Sequence, residues 1–107
     1  MPDSGQTFWE MAAPYLASGA CEEGTIMGHP CLRARGEFVA MYWRRGGGMV
    51  AKLDAARVAE RIAAGRGQPF APAGRAFREW VAVPEPAGDD WEQVLAEAVR
   101  LANARGK

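Results

Sequence analysis

The sequence predicts a single α+β domain, residues 1–107, built on an antiparallel β-sheet of about five strands with flanking helices. Two observations predict this class. Apolar residues recur at helical spacing near both ends of the chain and once in the middle. Between the first two of these segments lie short apolar runs separated by glycines, which is typical of antiparallel strands joined by tight turns. The predicted order of elements is α-β-β-β-β-α-β-α.

The first helix is predicted over residues 7–18. Thr7 and Glu10 have the spacing of a capping box, and apolar residues follow at helical intervals. Pro14 lacks the N–H that a helix interior uses, so we expect it to kink or shorten this helix near Ala13.

Strands are predicted from Gly24 to Leu53. In the segment CLRAR, residues 31–35, arginines alternate with apolar residues, so Arg33 and Arg35 are expected on one basic face. Gly36 suits a tight turn into the next strand, and the glycines of residues 44–48 form a loop before the strand MVAKL.

The strand EFVAMYW, residues 37–43, is apolar at nearly every position. Such a strand is either covered on both faces or contributes one face to an interface. Simple alternation predicts two sets of side chains on opposite faces: Phe38, Ala40 and Tyr42, and Val39, Met41 and Trp43.

A second helix is predicted after Asp54, its N-cap, and should end at Gly65. Its expected apolar stripe comprises Ala55, Val58, Ala59 and Ile62. Residues 65–75 are rich in glycine and proline, so they predict a loop that can hold a short edge strand.

The segment AFREWVAV, residues 76–83, alternates and is predicted to be a strand. Asp90 and Gln93 resemble another capping box, and the last helix is expected from Trp91 to about Arg105. Its inward residues are predicted to be Trp91, Val94, Leu95, Ala98, Leu101 and Ala102.

Four segments in this order resemble the N-terminal domain of the TfoX/Sxy-type proteins, which is structurally akin to the MmcQ/YjbR proteins. They are GTIMGHPCLRARGEFVAMYW, MVAKL, GQPFAPAGRAFREWVAVP and DDWEQVLAEA, and the resemblance as a whole covers roughly residues 8–103. The resemblance rests on the ordered set, since no single motif is diagnostic. One departure is Met27, where many relatives have Phe.

The resemblance implies an α+β domain with a curved antiparallel sheet and no established catalytic residues or cofactor. Longer members of the family, named for regulators of bacterial competence, add a C-terminal helical domain, and this chain ends at Lys107 before one. A regulatory role that depends on that domain is therefore not carried over.

Composition is that of an ordinary globular protein, with 49% apolar and 24% charged residues and zero formal net charge. The charge is uneven: residues 1–27 carry −4, residues 28–80 carry +6 and residues 81–107 carry −2. Either the basic middle faces an acidic partner, or the acidic ends pack beside it and neutralise it. No apolar run is long enough for a membrane helix, and no basic export signal is present, so we expect a cytoplasmic protein with reduced thiols.

His29 and Cys31 are the one place where reactive side chains cluster in the sequence. Residues two apart in an extended segment share a face, so a nucleophilic or metal site is conceivable. No third residue orients His29, however, and Cys21, His29 and Cys31 supply at most three of the four ligands that zinc usually takes. We therefore expect a structural turn shaped by Gly28 and Pro30, with no catalytic residue, metal or cofactor.

The glycine-containing segments RRGGG and GRGQP do not match a nucleotide-binding loop, since no Ser or Thr follows Thr25. The four tryptophans could serve as base-stacking platforms. Each lies within an apolar pattern, so core positions are the better interpretation.

The arginines are the best candidate functional residues. Arg33 and Arg35 on one strand, with Arg44 and Arg45 in the adjoining hairpin loop, could form a basic ridge for phosphate or carboxylate groups. The alternative is a solvated polar face of the kind that protects sheet edges. We expect a non-enzymatic module that contacts a protein partner or a second copy of itself, with weak nucleic-acid binding through these arginines as the alternative function.

Overall fold

A computed structural model of the protein describes residues 4–43, 48–71, 74–84 and 90–105, and it confirms the predicted α+β class and order of elements. The described residues form helices α1 (Ser4–Ser18), α2 (Ala55–Ala63) and α3 (Asp90–Arg105). The strands are β1 (Glu22–Ile26), β2 (His29–Ala34), β3 (Glu37–Trp43), β4 (Gly48–Lys52), β5 (Gln68–Pro69) and β6 (Trp80–Val83). The two-residue β5 is the short edge strand that the proline-rich loop was expected to hold.

The strands form one sheet in the order β1-β2-β3-β4-β6-β5, with every neighbouring pair antiparallel. All three helices contribute to the core on one face, called here the helix face, where Phe8, Leu53 and Trp91 are buried. The opposite face, called the open face, has a smaller apolar cluster that contains no helical residue among those described. Its members are Cys31, Phe38, Met41, Val50 and Phe70, with Ile26, Trp43, Trp80 and Ala82 partly buried against them.

A β-bulge in the β2–β3 pair overturns the predicted alternation of β3. Leu32 pairs with Ala40 but Arg33 pairs with Phe38, so one extra residue, Val39, is accommodated. Two groups of side chains result: Phe38, Met41 and Trp43 lie on the open face, and Val39, Ala40 and Tyr42 on the helix face. The prediction that β3 is apolar on both faces is confirmed, but its assignment of residues to faces was wrong.

Two-residue turns close the first two hairpins of the sheet. Met27 and Gly28 join β1 to β2, and Arg35 and Gly36 join β2 to β3. All four have positive φ, between 51° and 85°, which is the backbone of a type I′ turn. Glycine at the second position of each turn is favoured because it adopts this conformation without steric cost.

Helix α1 begins at Ser4 and continues through Pro14 to Ser18, so the expected start at residue 7 and the expected shortening near Ala13 were wrong. Proline removes one hydrogen bond from the helix, while the buried side chains of Phe8 and Ala12 still hold it against the sheet. The helix ends where Gly19 takes a positive φ and the N–H of Cys21 bonds back to the carbonyl of Tyr15.

Helix α2 begins after Asp54 as predicted, but the Asp54 carboxylate makes no capping hydrogen bond. It accepts a hydrogen bond from Arg105 of α3 instead. The expected apolar stripe was partly wrong, because Ala55 and Ala59 are exposed and the buried residues of α2 are Val58 and Arg61.

Strand β6 covers only the second half of the segment predicted as a strand. Residues 75–79 precede it as irregular backbone and a turn, closed by a hydrogen bond from the N–H of Trp80 to the carbonyl of Phe77. Helix α3 begins one residue earlier than predicted, at Asp90.

Candidate functional site

The open face carries a connected series of aromatic rings, called here the aromatic face. Phe38 stacks on Trp80 with ring centroids 4.2 Å apart, and Trp80 lies 5.6 Å from Phe70. Phe70 meets the edge of Trp43 at 5.0 Å, and Trp43 in turn packs on His29 at 4.9 Å. The rings therefore cross the sheet from β2 to β6, and Phe70, which follows β5, joins the two halves.

Phe77 extends the aromatic face into solvent. Its ring lies 5.8 Å from Phe70 and 5.1 Å from Trp80, and 42% of the residue is exposed. Phe70 also lines a cleft of about 180 Å³, together with residues that include Trp43 and Val50. That volume is below the range typical of small-molecule sites and suits a single side chain of a partner.

Two arginines without ion pairs lie close to Phe77 in the sequence. Arg75 and Arg78 are exposed and flank Phe77 in the sequence, and neither forms an ion pair with any described residue. Lys52, Arg57, Arg61, Arg66 and Arg105 pair with carboxylates, whereas Arg100 of α3, like Arg75 and Arg78, forms no ion pair with a described residue.

The predicted arginine ridge is not assembled as expected. Arg33 lies on β2 and donates hydrogen bonds to the carbonyls of Thr25 and Gly36, at 3.2 and 3.4 Å. Arg35 was expected on the same strand face, but it lies in the following turn with a φ of 53° and is exposed. Arg44 and Arg45 lie outside the described residues.

His29 and Cys31 lie on β2 and not in a turn. Of the two residues predicted to shape the turn, Gly28 lies in the β1–β2 turn and Pro30 lies on β2. The ring of His29 is half-buried against Trp43, while Cys31 is fully buried. Burial raises the pKa of the Cys31 thiol more than the neighbouring Arg33 lowers it. The reactive thiolate is therefore disfavoured, which is the opposite of what an activated nucleophile needs.

Sequence reasoning missed Phe70, Phe77, Arg75 and Arg78. The alternation of residues 76–83 indicated a strand, and this concealed the exposed turn that carries Phe77. The one usable signal was the loop rich in glycine and proline, which favours irregular backbone before Phe77. Among the tryptophans, Trp91 occupies the core as predicted, whereas Trp43 and Trp80 are half-buried on the open face.

Across residues 4–43, 48–71, 74–84 and 90–105, no three His, Cys, Asp or Glu side chains are grouped so that they could hold a metal ion. Within the same residues, no helix has the length and apolar character needed to cross a membrane. Comparison of the chain with protein families, curated proteins and solved structures found no match.

Proposed function

We propose that the chain is a non-enzymatic interaction module, akin to the N-terminal domain of the TfoX/Sxy-type proteins, that binds a protein partner through the aromatic face. The observation that carries this proposal is the continuous series of rings ending at the exposed Phe77. Aromatic side chains and arginine are the residues most enriched at the energetic centres of protein interfaces.

The chemistry of the partner follows from the residues next to Phe77 in the sequence. Arg75 and Arg78 are exposed and have no carboxylate partner among the described residues, so a bound segment that carries Asp or Glu gains charge-assisted hydrogen bonds. The cleft beside Trp43 and Phe70 accepts one apolar side chain. The partner is therefore an acidic segment with an apolar anchor residue, which matches the basic middle of this chain.

Two further observations support a binding role in preference to catalysis. The buried Cys31 thiol has a raised pKa, and His29 packs on an aromatic ring. We propose that the module acts in the bacterial cytoplasm in a regulatory role, with both cysteines reduced.

A display selection with random peptides tests the proposal. The immobilised domain is expected to enrich peptides with an aromatic or aliphatic anchor flanked by Asp and Glu. Phe77→Ser should abolish this enrichment, because it removes an exposed ring without opening the core. Met27→Ser is the matched control, since Met27 is 51% exposed but belongs to neither apolar cluster.

The charge part of the proposal needs its own variant. The double change Arg75→Glu and Arg78→Glu should reverse the preference, so that peptides with Lys or Arg beside the anchor are enriched. Equal enrichment by the wild type and Phe77→Ser would contradict the proposal.

Nucleic acid is the alternative occupant, because exposed rings beside arginines can also stack on unpaired bases. Anisotropy measurements with a single-stranded and a duplex oligonucleotide at low salt distinguish the two. Binding that is lost both at higher salt and in Phe77→Ser would favour the nucleic-acid function over the protein partner.

A further inference from the structure

A groove of about 660 Å³ runs between α1 and α3 on the helix face, away from the aromatic face. This volume is typical of sites for small organic ligands. Its apolar wall is formed by Met11, Tyr15, Trp91 and Leu95. The Trp91 indole N–H donates to the carbonyl of Pro84 at 2.8 Å, so the ring is fixed with its polar atom already satisfied.

The charged groups that line the groove are both acidic. Glu10 of α1 and Glu92 of α3 line the groove. The described residues that line it include no Lys or Arg. Glu10 is the one charged residue of α1, and its carboxylate accepts a hydrogen bond from Gln6 at 3.2 Å. A carboxylate has about four acceptor positions, so this contact leaves capacity for a ligand. Two carboxylates on an apolar groove favour a cation with an apolar body.

Pro14 adds a second acceptor at the same place. In an α-helix the carbonyl of residue 10 bonds to the N–H of residue 14, and proline has none. Glu10 and Pro14 both line the groove, so the turn of α1 that lacks this hydrogen bond forms part of its wall. A ligand with N–H groups can satisfy the carbonyl and the carboxylate together, whereas a quaternary ammonium can satisfy neither by hydrogen bonding.

We propose that the α1–α3 groove binds a small primary ammonium compound with an apolar tail. The tail lies on Met11, Tyr15, Trp91 and Leu95, and the ammonium group donates to Glu10 and pairs with Glu92. This site is separate from the aromatic face, so its test does not depend on the proposed protein partner.

The test compares three probes of equal chain length in NMR titrations of the full chain: n-octylammonium, n-octyltrimethylammonium and n-octanol. We expect n-octylammonium to shift the indole N–H of Trp91 and the amides of Met11 and Leu95. Its dissociation constant should be about tenfold lower than that of n-octanol, as charge-assisted hydrogen bonds require. Equal affinity for the ammonium and the alcohol would overturn the proposal, as would shifts confined to the sheet.

Variants separate charge from hydrogen bonding. Glu10→Gln with Glu92→Gln should weaken n-octylammonium binding about tenfold and leave n-octanol unchanged, and Glu23→Gln on the exposed edge strand β1 is the control. Pro14→Ala supplies the missing N–H, and because Pro14 also lines the groove, it should weaken n-octylammonium about threefold more than n-octyltrimethylammonium. If Glu23→Gln weakened n-octylammonium binding as much as the change at Glu10 and Glu92, the affinity would depend only on the net charge of the protein, which contradicts a defined site. No effect of Pro14→Ala would overturn the role of the Glu10 carbonyl.

Discussion

Arg61 is the buried charge that periodicity did not predict. It is 6% exposed, and its Nη2 atom lies 3.1 Å from Oδ2 of Asp90, the first residue of α3. The Nη2 contact is an ion pair, and neither Nε nor Nη2 makes a well-aligned hydrogen bond with any described residue. The sequence indicated an alanine-containing stripe for α2 instead, because the carboxylate that makes burial of Arg61 tolerable lies 29 positions further along the chain. A helical pattern records spacing within an element, and it carries no information about a distant counter-charge.

The first prediction concerns Asp90→Asn, which removes the charge that Arg61 and Arg66 share. An unpaired buried guanidinium is costly, so we expect the free energy of unfolding to fall by about 3 kcal/mol. Arg61→Met should cost about 1 kcal/mol or less, because methionine fills much of the same space without a charge. Urea denaturation at pH 7 measures both.

Glu92→Gln is the matched control for Asp90→Asn. It removes a carboxylate from the same helical turn, but the side chain is exposed. If Asp90→Asn and Glu92→Gln lowered the free energy of unfolding equally, the effect would come from the helix dipole. That result would contradict the importance of the Arg61–Asp90 ion pair.

The second prediction concerns the two cysteines, Cys21 and Cys31, which are free and buried. Burial is the largest influence on both thiols and raises the pKa of each. A raised thiol pKa means that the thiolate forms only at higher pH, so the native protein should react with a disulfide reagent at least about a hundredfold more slowly than a cysteine peptide at pH 7.5. Labelling in 6 M guanidinium supplies the unfolded reference.

Cys31→Ala is expected to fold, with a loss of about 1 kcal/mol from the small cavity left in the open-face cluster. Rapid labelling of native Cys31, or stoichiometric zinc that is lost in Cys31→Ala, would contradict the structural role of this residue.

At the level of elements, the strands of the meander could be predicted because their signals are local. Gly28 and Gly36 mark the two turns, and β3 and β4 are short, largely apolar runs. The bulge in β3 could not be predicted, since every residue from Phe38 to Met41 is buried and no polar residue marks a change of face. The composition of the aromatic face depends on this bulge, because a one-residue shift exchanges the two faces.

The third prediction concerns the β1–β2 turn. Met27 has a φ of 51°, a conformation that costs a non-glycine residue about 1 kcal/mol but that asparagine tolerates well. Met27→Asn creates the Asn-Gly sequence favoured in type I′ turns and should raise the free energy of unfolding by about 0.5–1 kcal/mol. Thermal and urea unfolding measure the change.

Arg35→Asn tests the same reasoning in the β2–β3 turn, where φ is 53°. Met27→Ala is the control, since it removes the exposed side chain and leaves a residue that disfavours positive φ. Stabilisation by alanine equal to that by asparagine would indicate a solvation effect of removing Met27 and not a backbone effect.

Across the whole molecule, the candidate site depends on contacts between segments that are distant in sequence. Phe38, Trp43, Phe70 and Phe77 come together because β5 pairs with β6 and carries the following loop over the open face. The sequence identified the aromatic residues and the uneven charge, but the choice between core and surface depends on which face the helices cover. Which face the helices cover depends on tertiary packing, and for this reason the sequence pointed to Arg33, Arg35, Arg44 and Arg45 and not to the arginines beside Phe77.

Ion pairs between elements hold the helix face together. Arg57 of α2 binds Glu97 of α3 at 2.9 Å, and Arg105 at the end of α3 contacts Asp54 and Glu79 at 2.9 and 3.1 Å. The hydrogen bond from Arg57 is the main cause that lowers the pKa of Glu97. For Asp90, burial alone would raise the pKa, but Arg66 and Arg61 outweigh it and the pKa is lowered.

The last prediction follows from these two lowered pKa values. A carboxyl group whose pKa is lower in the folded state stabilises the fold above its unfolded pKa, about 4, and this stabilisation is lost as the pH falls through the folded pKa. The free energy of unfolding should therefore decline as the pH falls from 5 towards 2. Urea titrations across this range should give a shallower decline for Glu97→Gln than for the wild type, and an unchanged decline for the exposed control Glu23→Gln. Parallel curves for the wild type and Glu97→Gln would show that the α2–α3 ion pair does not couple folding to protonation.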